Sequence, residues 1–139
     1  MSAKDVYHDV VKTALEQDGW TITHDPLILK FTSNRRLRID LGAEQLIAAE
    51  KESTRIAIEI KSFIAPSDIT EFHLALGQFL NYRVALKVKA PERILYLAVP
   101  LEIYNDFFSE ELTQLSVQEY NVKILVFDPE TEVITQWID

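Results

Sequence analysis

Asp40, Glu59 and Lys61 are the residues of this chain whose types and spacing best suit chemistry. Glu59 and Lys61 stand two apart in the run RIAIEIKS, residues 55–62, so on a strand both point to one face of a sheet. Ile56, Ile58 and Ile60 then point the other way, into a core, while Ala57 shares the charged face and leaves room beside it. A carboxylate and an ammonium on an otherwise apolar strand cost desolvation energy unless something pairs or uses them. Asp40, at the start of the preceding strand, brings a second carboxylate. Phosphodiester hydrolysis at neutral pH needs an activated water, a counter to charge building on the phosphate, and a stabilised leaving oxygen. One or two Mg²⁺ ions held by hard carboxylate oxygens serve all three needs. Asp40 and Glu59 are the expected ligands, with the backbone carbonyl of Ile60 as an additional one. Lys61 would orient or help deprotonate the attacking water and offset phosphate charge. The alternative is plainer: Glu-x-Lys recurs by chance, and both side chains are then surface charges on an edge strand.

The elements that must position these residues form a hairpin. One strand leads from Asp40 to a short turn at Lys51-Glu52-Ser53-Thr54, and a second covers 55–62. With the turn centred near Ser53, Glu59 falls opposite Leu46 and Asp40 lies several residues further on. A kink or bulge at Gly42 is needed to bring Asp40 to Glu59. Glu44 is a rival ligand, or simply an exposed strand-end carboxylate. Gln78 can reach the site from the following helix to position water or phosphate; beside Ala75 and Tyr82 it equally makes a helix contact. Asp5 or His8 can bring a ligand or proton carrier from the first helix, although a lone His on a polar helix face is more often solvated. His24 and His73 have no partner at zinc-ligand spacing. The chain has no cysteine, which excludes disulfides and thiolate chemistry. It has no Gly-rich phosphate loop, nucleophile elbow or dinucleotide fingerprint. Trp20, Trp137 and the Phe residues sit at core-like positions rather than forming a stacking platform.

Helical periodicity covers 4–18, closed by Gly19 in a left-handed conformation. Short strands follow at 20–23, 27–31 and 36–40, split by the turn His24-Asp25-Pro26. Ser67 as N-cap, or Asp68 with Glu71 as a capping box, opens a helix running to about Val88, and Pro91 closes it. Its main apolar stripe is read as Ile69, Phe72, Leu76, Phe79 and Leu80. A second face carries Leu74, Ala75, Gln78, Tyr82 and Ala85, and a helix decorated on two sides packs on two sides. Residues 93–99 and 122–127 read as buried strands. Two short helices at 101–108 and 110–119 separate them, and a last strand covers 133–138. At 139 residues and 47% hydrophobic content, the chain suits one domain over 1–139. The expected class is α/β, with a mixed sheet flanked by helices. No run reaches the length of a membrane span, and the charged start MSAKDVYHDV lacks the apolar centre of a signal peptide. A cytoplasmic location is expected.

The net charge of −8 weighs against tight DNA binding by the chain alone, because duplex binding rests on phosphate neutralisation. Acidic residues dominate 102–139, where Lys123 is the one basic residue. Basic residues gather before the hairpin (Lys30, Arg35, Arg36, Arg38) and after it (Arg83, Lys87, Lys89, Arg93).

The runs IDLGAEQLIAAEK, IAIEIKSF, ALGQFLNYR and PERILYLAVP, with the acidic tail and Trp137, resemble the XisH-like family over essentially the whole chain. These are the fdxN element excision controlling factors of cyanobacteria. The resemblance implies a restriction-endonuclease-like fold of the PD-(D/E)XK superfamily, with a mixed central β-sheet flanked by α-helices. Asp40, Glu59 and Lys61 match that superfamily's Asp and (D/E)-x-K. Ile39 stands where a proline often precedes the Asp. Gln78 and Tyr82 match the family's GQ-x3-Y run. The resemblance further implies control of the excision of a DNA element during heterocyst differentiation. It implies DNA, an XisI-like companion protein and a site-specific recombinase as partners. Two functions follow as expectations: Mg²⁺-dependent hydrolysis of DNA, or a non-catalytic accessory role in which the companion is bound and the recombinase controlled. A symmetric homodimer through the second helix face is expected as well, and no membrane partner.

Overall fold

The computed structural model describes residues 6–30, 36–37, 46–64 and 66–139, of 36–37 the backbone alone. Everything below concerns those residues. α1 (His8–Gln17) ends where Gly19 adopts φ +93° and its N–H returns to the Glu16 carbonyl at 3.0 Å. β1 (Thr21–His24) pairs antiparallel with β4 (Leu46–Lys51), while β2 (Leu29–Lys30) and β3 (Arg36–Leu37) form a separate small hairpin.

β4 turns through Glu52-Ser53 into β5 (Thr54–Ile60), with Glu52 in a left-handed conformation at φ 55°. Lys51 faces Thr54 and, as expected, Glu59 faces Leu46. β5 stops at Ile60, earlier than expected. The ladder continues for one more bond, from the Lys61 N–H to the Ala98 carbonyl at 3.0 Å.

α2 (Asp68–Lys89) opens on Ser67, whose hydroxyl accepts from the Thr70 N–H at 3.2 Å. It returns the chain to β6 (Arg93–Pro100), which lies parallel to β5. α3 (Leu101–Asp106), a 3₁₀ turn at Phe107–Ser109 and α4 (Glu111–Glu119) form a second crossover, to β7 (Ile124–Asp128), again parallel. β8 (Val133–Ile138) then closes the sheet antiparallel, giving the order β1-β4-β5-β6-β7-β8. The architecture is the expected one: a mixed sheet flanked by helices, consistent with a restriction-endonuclease-like arrangement.

The two parallel crossovers step in the same direction across the sheet. Right-handed connections of that kind put their helices on one face. Accordingly, Phe72, Phe79 and Tyr82 of α2 join Phe107, Phe108 and Ala57 in one core. α1 covers the other face, where Val11 and Leu15 meet Ile47, Ile56, Ile58 and Ile60.

The buried side of α2 is Phe72, Ala75, Phe79, Tyr82, Ala85 and Leu86, a correction to the expected stripe. Ile69 is exposed and Leu76 and Leu80 are half-buried, while Ala75, Tyr82 and Ala85, assigned to a second face, lie inside. The small Ala75 and Ala85 let the helix settle against the sheet, rotating the larger leucines to its margin.

Arg93 clamps the start of β6 to the β4–β5 hairpin. Its guanidinium donates to the Ile56 carbonyl at 3.0 Å and stands 3.5 Å from the Glu50 carboxylate. On the α1 side, buried His8 brings Nε2 to 2.9 Å from Asp25, and Lys12 donates to the same carboxylate at 2.7 Å. The expectation of a solvated His8 is thus overturned: one turn of helix aligns His8 and Lys12, and the turn after β1 supplies the carboxylate.

Just beyond Lys61, Phe63 takes φ 58°, a costly conformation for a bulky residue. Its ring is locked against Phe108 at 5.6 Å, edge to face, and Phe107 at 6.0 Å. Packing therefore fixes the backbone where the chain leaves the sheet. Phe63→Ala should cost about 3 kcal/mol, read by urea denaturation, because it leaves a cavity in the aromatic cluster without relieving the φ. A loss under about 1 kcal/mol would mean the ring does not anchor this segment.

Burial alone pushes the Asp25 pKa up, but the hydrogen bonds from Lys12 and His8, aided by nearby positive charge, hold it below its ordinary 3.8. A lowered folded pKa means that this contribution is present above pH 3.8 and fades as pH falls through the folded value. Asp25→Ala should cost about 2 kcal/mol at neutral pH, since it strands a buried His8 nitrogen. Acid unfolding curves should show the variant's deficit shrinking at the lowest pH; a deficit constant with pH would remove the ion pair from the explanation.

Candidate functional site

Glu59 is the penultimate residue of β5, set between Leu46 of β4 and Leu97 of β6 in the sheet's cross-strand register. Both neighbours belong to the core beneath α2, as does Ala57 two residues earlier. Glu59 is 0% exposed and Lys61 2% exposed. Neither is a surface charge on an edge strand: β5 is an interior strand, and both side chains have interaction partners within the structure. Their burial also makes the pair costly to disturb. Removing one member from a set of buried charges costs several kcal/mol, because the remainder is left without compensation.

Gln78 sits on α2 between Ala75 and Tyr82, three and four residues away, and both of these are buried. Its side chain therefore lies on the part of the helix turned toward the sheet. The Oε1 atom is buried and has no hydrogen-bond partner among the described residues. An orphaned amide oxygen in such a place leaves a hydrogen-bond or ligand position for a bound group. Asp40, Glu44 and Asp5 lie outside the described residues, as does Gly42 with its expected bulge. Ile60 carries its side chain into the opposite core, so its backbone runs between the two charged positions. His8 belongs to the α1 side and its Asp25 pair, His24 bonds to Thr23, and exposed His73 lies beyond this face.

The donors present suit a hard cation. Glu59 offers carboxylate oxygens, Gln78 an orphaned amide oxygen and Ile60 a carbonyl, all of the type Mg²⁺ takes. No cluster of three His, Cys, Asp or Glu side chains occurs among the described residues, which bears on zinc more than on Mg²⁺.

A cleft of about 550 Å³ opens at the carboxyl ends of the parallel strands, lined by Ser62, Phe63, Pro100, Leu101, Asp128 and Pro129 among others. Such crevices are where open α/β sheets bind ligands. Sequence reading passed over it, although the parallel order β5-β6-β7 brings those strand ends together. Its rim carries Glu102 and Glu130, a poor setting for phosphate. Of the basic residues after the hairpin, two are engaged within the structure. Arg93 is bound to backbone carbonyls, and Arg83 donates to the carbonyls of Tyr120 and Asn121 at 2.7 and 3.1 Å.

Comparison with known proteins places this geometry in a family. An XisH family protein from Nostoc punctiforme PCC 73102 is 51% identical, with a TM-score of 0.89 over 97% of this chain and 100% of its own. A fdxN element excision controlling factor protein from Anabaena variabilis is 50% identical, with a TM-score of 0.88 over 96% of this chain and 98% of its own. No curated protein matches the chain. Residues 1–135 match the family described as XisH protein, and the chain belongs to that family.

Proposed function

We infer that the chain is an excision controlling factor acting on a DNA element through a PD-(D/E)XK-type site for phosphodiester hydrolysis. The observation that carries this reading is the burial of Glu59 and Lys61 at the end of an interior strand, beneath a helix whose Gln78 carries a buried, unpartnered amide oxygen. The Anabaena relative, an fdxN element excision controlling factor at 50% identity, supports the DNA-element part. Asp40, Glu59 and the Ile60 carbonyl would hold Mg²⁺, with Gln78 beside them. When bound, the ion would supply Lewis acidity toward the phosphate and a more acidic water. Lys61 lies two residues from Glu59, where as an ammonium it would offset phosphate charge and orient the attacking water, and as a neutral amine it would help deprotonate that water. The apolar flank of Leu46 and Leu97 excludes bulk water and strengthens each of these electrostatic effects.

The second reading is a non-catalytic accessory protein that binds an XisI-like companion and biases a site-specific recombinase. The net charge of −8 and the acid-rimmed cleft favour it, since both oppose unaided binding to DNA.

One experiment separates the two. Mg²⁺ binding is followed by calorimetry on wild type, Glu59→Gln and Lys61→Met, with cleavage of linear and branched DNA measured in parallel. Glu59→Gln should lose Mg²⁺ binding, and Lys61→Met should keep it while cleavage falls about a hundredfold or more. Circular dichroism confirms that each variant folds, a necessary control for residues this buried. A folded wild type that neither binds Mg²⁺ nor cuts either DNA would discard the nuclease reading and leave the accessory one.

A further inference from the structure

α2 has an outer seam that the fold does not use. Leu74, Gly77, Asn81, Val84 and Val88 recur at alternating intervals of three and four, the a/d spacing of a coiled coil. All five are exposed, Leu74 by 42%, Val84 by 63% and Val88 by 65%, on the side opposite Phe72, Phe79 and Tyr82. Three large apolar side chains along one line of a solvent-facing helix form a patch rather than scattered singletons. Gly77 adds a separate observation. A glycine in mid-helix is unfavourable, and a Cβ at this position meets nothing within 4 Å. No neighbour in the described chain requires its smallness, whereas a second backbone approaching the seam would.

The charges on α2 identify what approaches. Its first turn carries Asp68 and Glu71, and its last turn Lys87 and Lys89. These signs suit the helix dipole. They also make the surface complementary to itself when reversed end for end. We propose that a second copy of this chain packs its α2 antiparallel against this seam, making a twofold dimer. With the axis passing between Gly77 and Asn81, Leu74 of each copy meets Val84 of the other, and Gly77 meets Asn81. Both are a-to-d layers, as antiparallel helix pairs require. The acidic first turn of each helix then lies along the basic last turn of its partner. Asn81, the polar residue of the seam, fixes that register at some cost in affinity. The dimer forms through the face away from the sheet, so Glu59, Lys61 and Gln78 remain within each copy. The proposal is thus independent of whether the site hydrolyses DNA.

Sedimentation velocity on the full chain, from about 1 to 200 μM, spans the affinities expected of a small helix–helix interface. Wild type should shift from monomer to dimer across that range. Leu74→Glu and Val84→Glu, both at exposed positions, should remain folded by circular dichroism and weaken association at least tenfold. A wild type monomeric at 200 μM, or a dimer indifferent to both substitutions, overturns the proposal. The charge pattern is tested by two further variants: Lys87→Glu with Lys89→Glu, and Asp68→Lys with Glu71→Lys. Each alone should dimerise at least tenfold more weakly than wild type, and a one-to-one mixture should recover association as a heterodimer. Charges that serve only the helix dipole predict no recovery on mixing, and that result would rule out the antiparallel arrangement.

Discussion

A carboxylate and an ammonium lie two residues apart at the carboxyl end of an interior strand, and the structure around them is arranged to make this tolerable. Glu59 has Leu46 on one side and Leu97 on the other, with a helix above. Water cannot supply its usual solvation there, so the protein must hold the charges in place with fixed partners. The two same-direction crossovers put α2 and the Phe107–Phe108 turn over this face, and Phe63 pins the backbone just past Lys61. α1 is left to cover the other face, which is wholly apolar along β5. A charged pair closed in by aromatics in this way is a candidate site; the same pair on an open edge would be decoration.

Among the described residues, several positive charges are committed to structure. Arg93, at the start of β6, ties the start of β5 to the end of β4, and Arg83 caps the turn after α4 through two carbonyls. Lys12 and Lys51 anchor α1 and its terminus, through Asp25 and the Asp18 carbonyl. Guanidinium groups bound to buried carbonyls cannot also neutralise phosphates. What the sequence presents as a basic cluster after the hairpin therefore reduces, at the surface, to the lysines at the end of α2.

Much of this was legible in the sequence, for identifiable reasons. Alternation along 55–61 gave the face of Glu59 and Lys61, and the turn at Glu52-Ser53 fixed the register that sets Glu59 opposite Leu46. Apolar runs between prolines and acidic turns located β6 and β7, and Ser67 announced α2. The misreadings have separate physical causes. Which side of α2 faces inward depends on how closely it approaches the sheet, and alanines set that distance while carrying almost no hydrophobic signal. His8 pairs with Asp25, seventeen residues away, and no local pattern encodes such a contact. The burial of Lys61 follows from what covers the strand end, Phe63 and the 3₁₀ turn, rather than from the strand itself.

The acidic character of the chain and the phosphodiester chemistry proposed for its buried pair pull in opposite directions, and the distribution of charge shows how both could hold. Repulsion between an acidic protein and DNA acts over roughly a Debye length, about 8 Å at physiological salt. A phosphate inside the site would instead be governed by Lys61 and whatever cation Glu59 holds, at short range and low dielectric, where each charge counts for far more. A strongly negative protein of this design discriminates by access. On the proposed reading it gains little from random encounters with duplex, and would engage DNA chiefly when another surface delivers it. A companion or recombinase that contributes the missing positive surface would therefore set where and when the site meets its substrate. On the proposed reading, catalysis and control by a partner would then be one arrangement, with the chemistry held in the sheet and the affinity supplied from outside it.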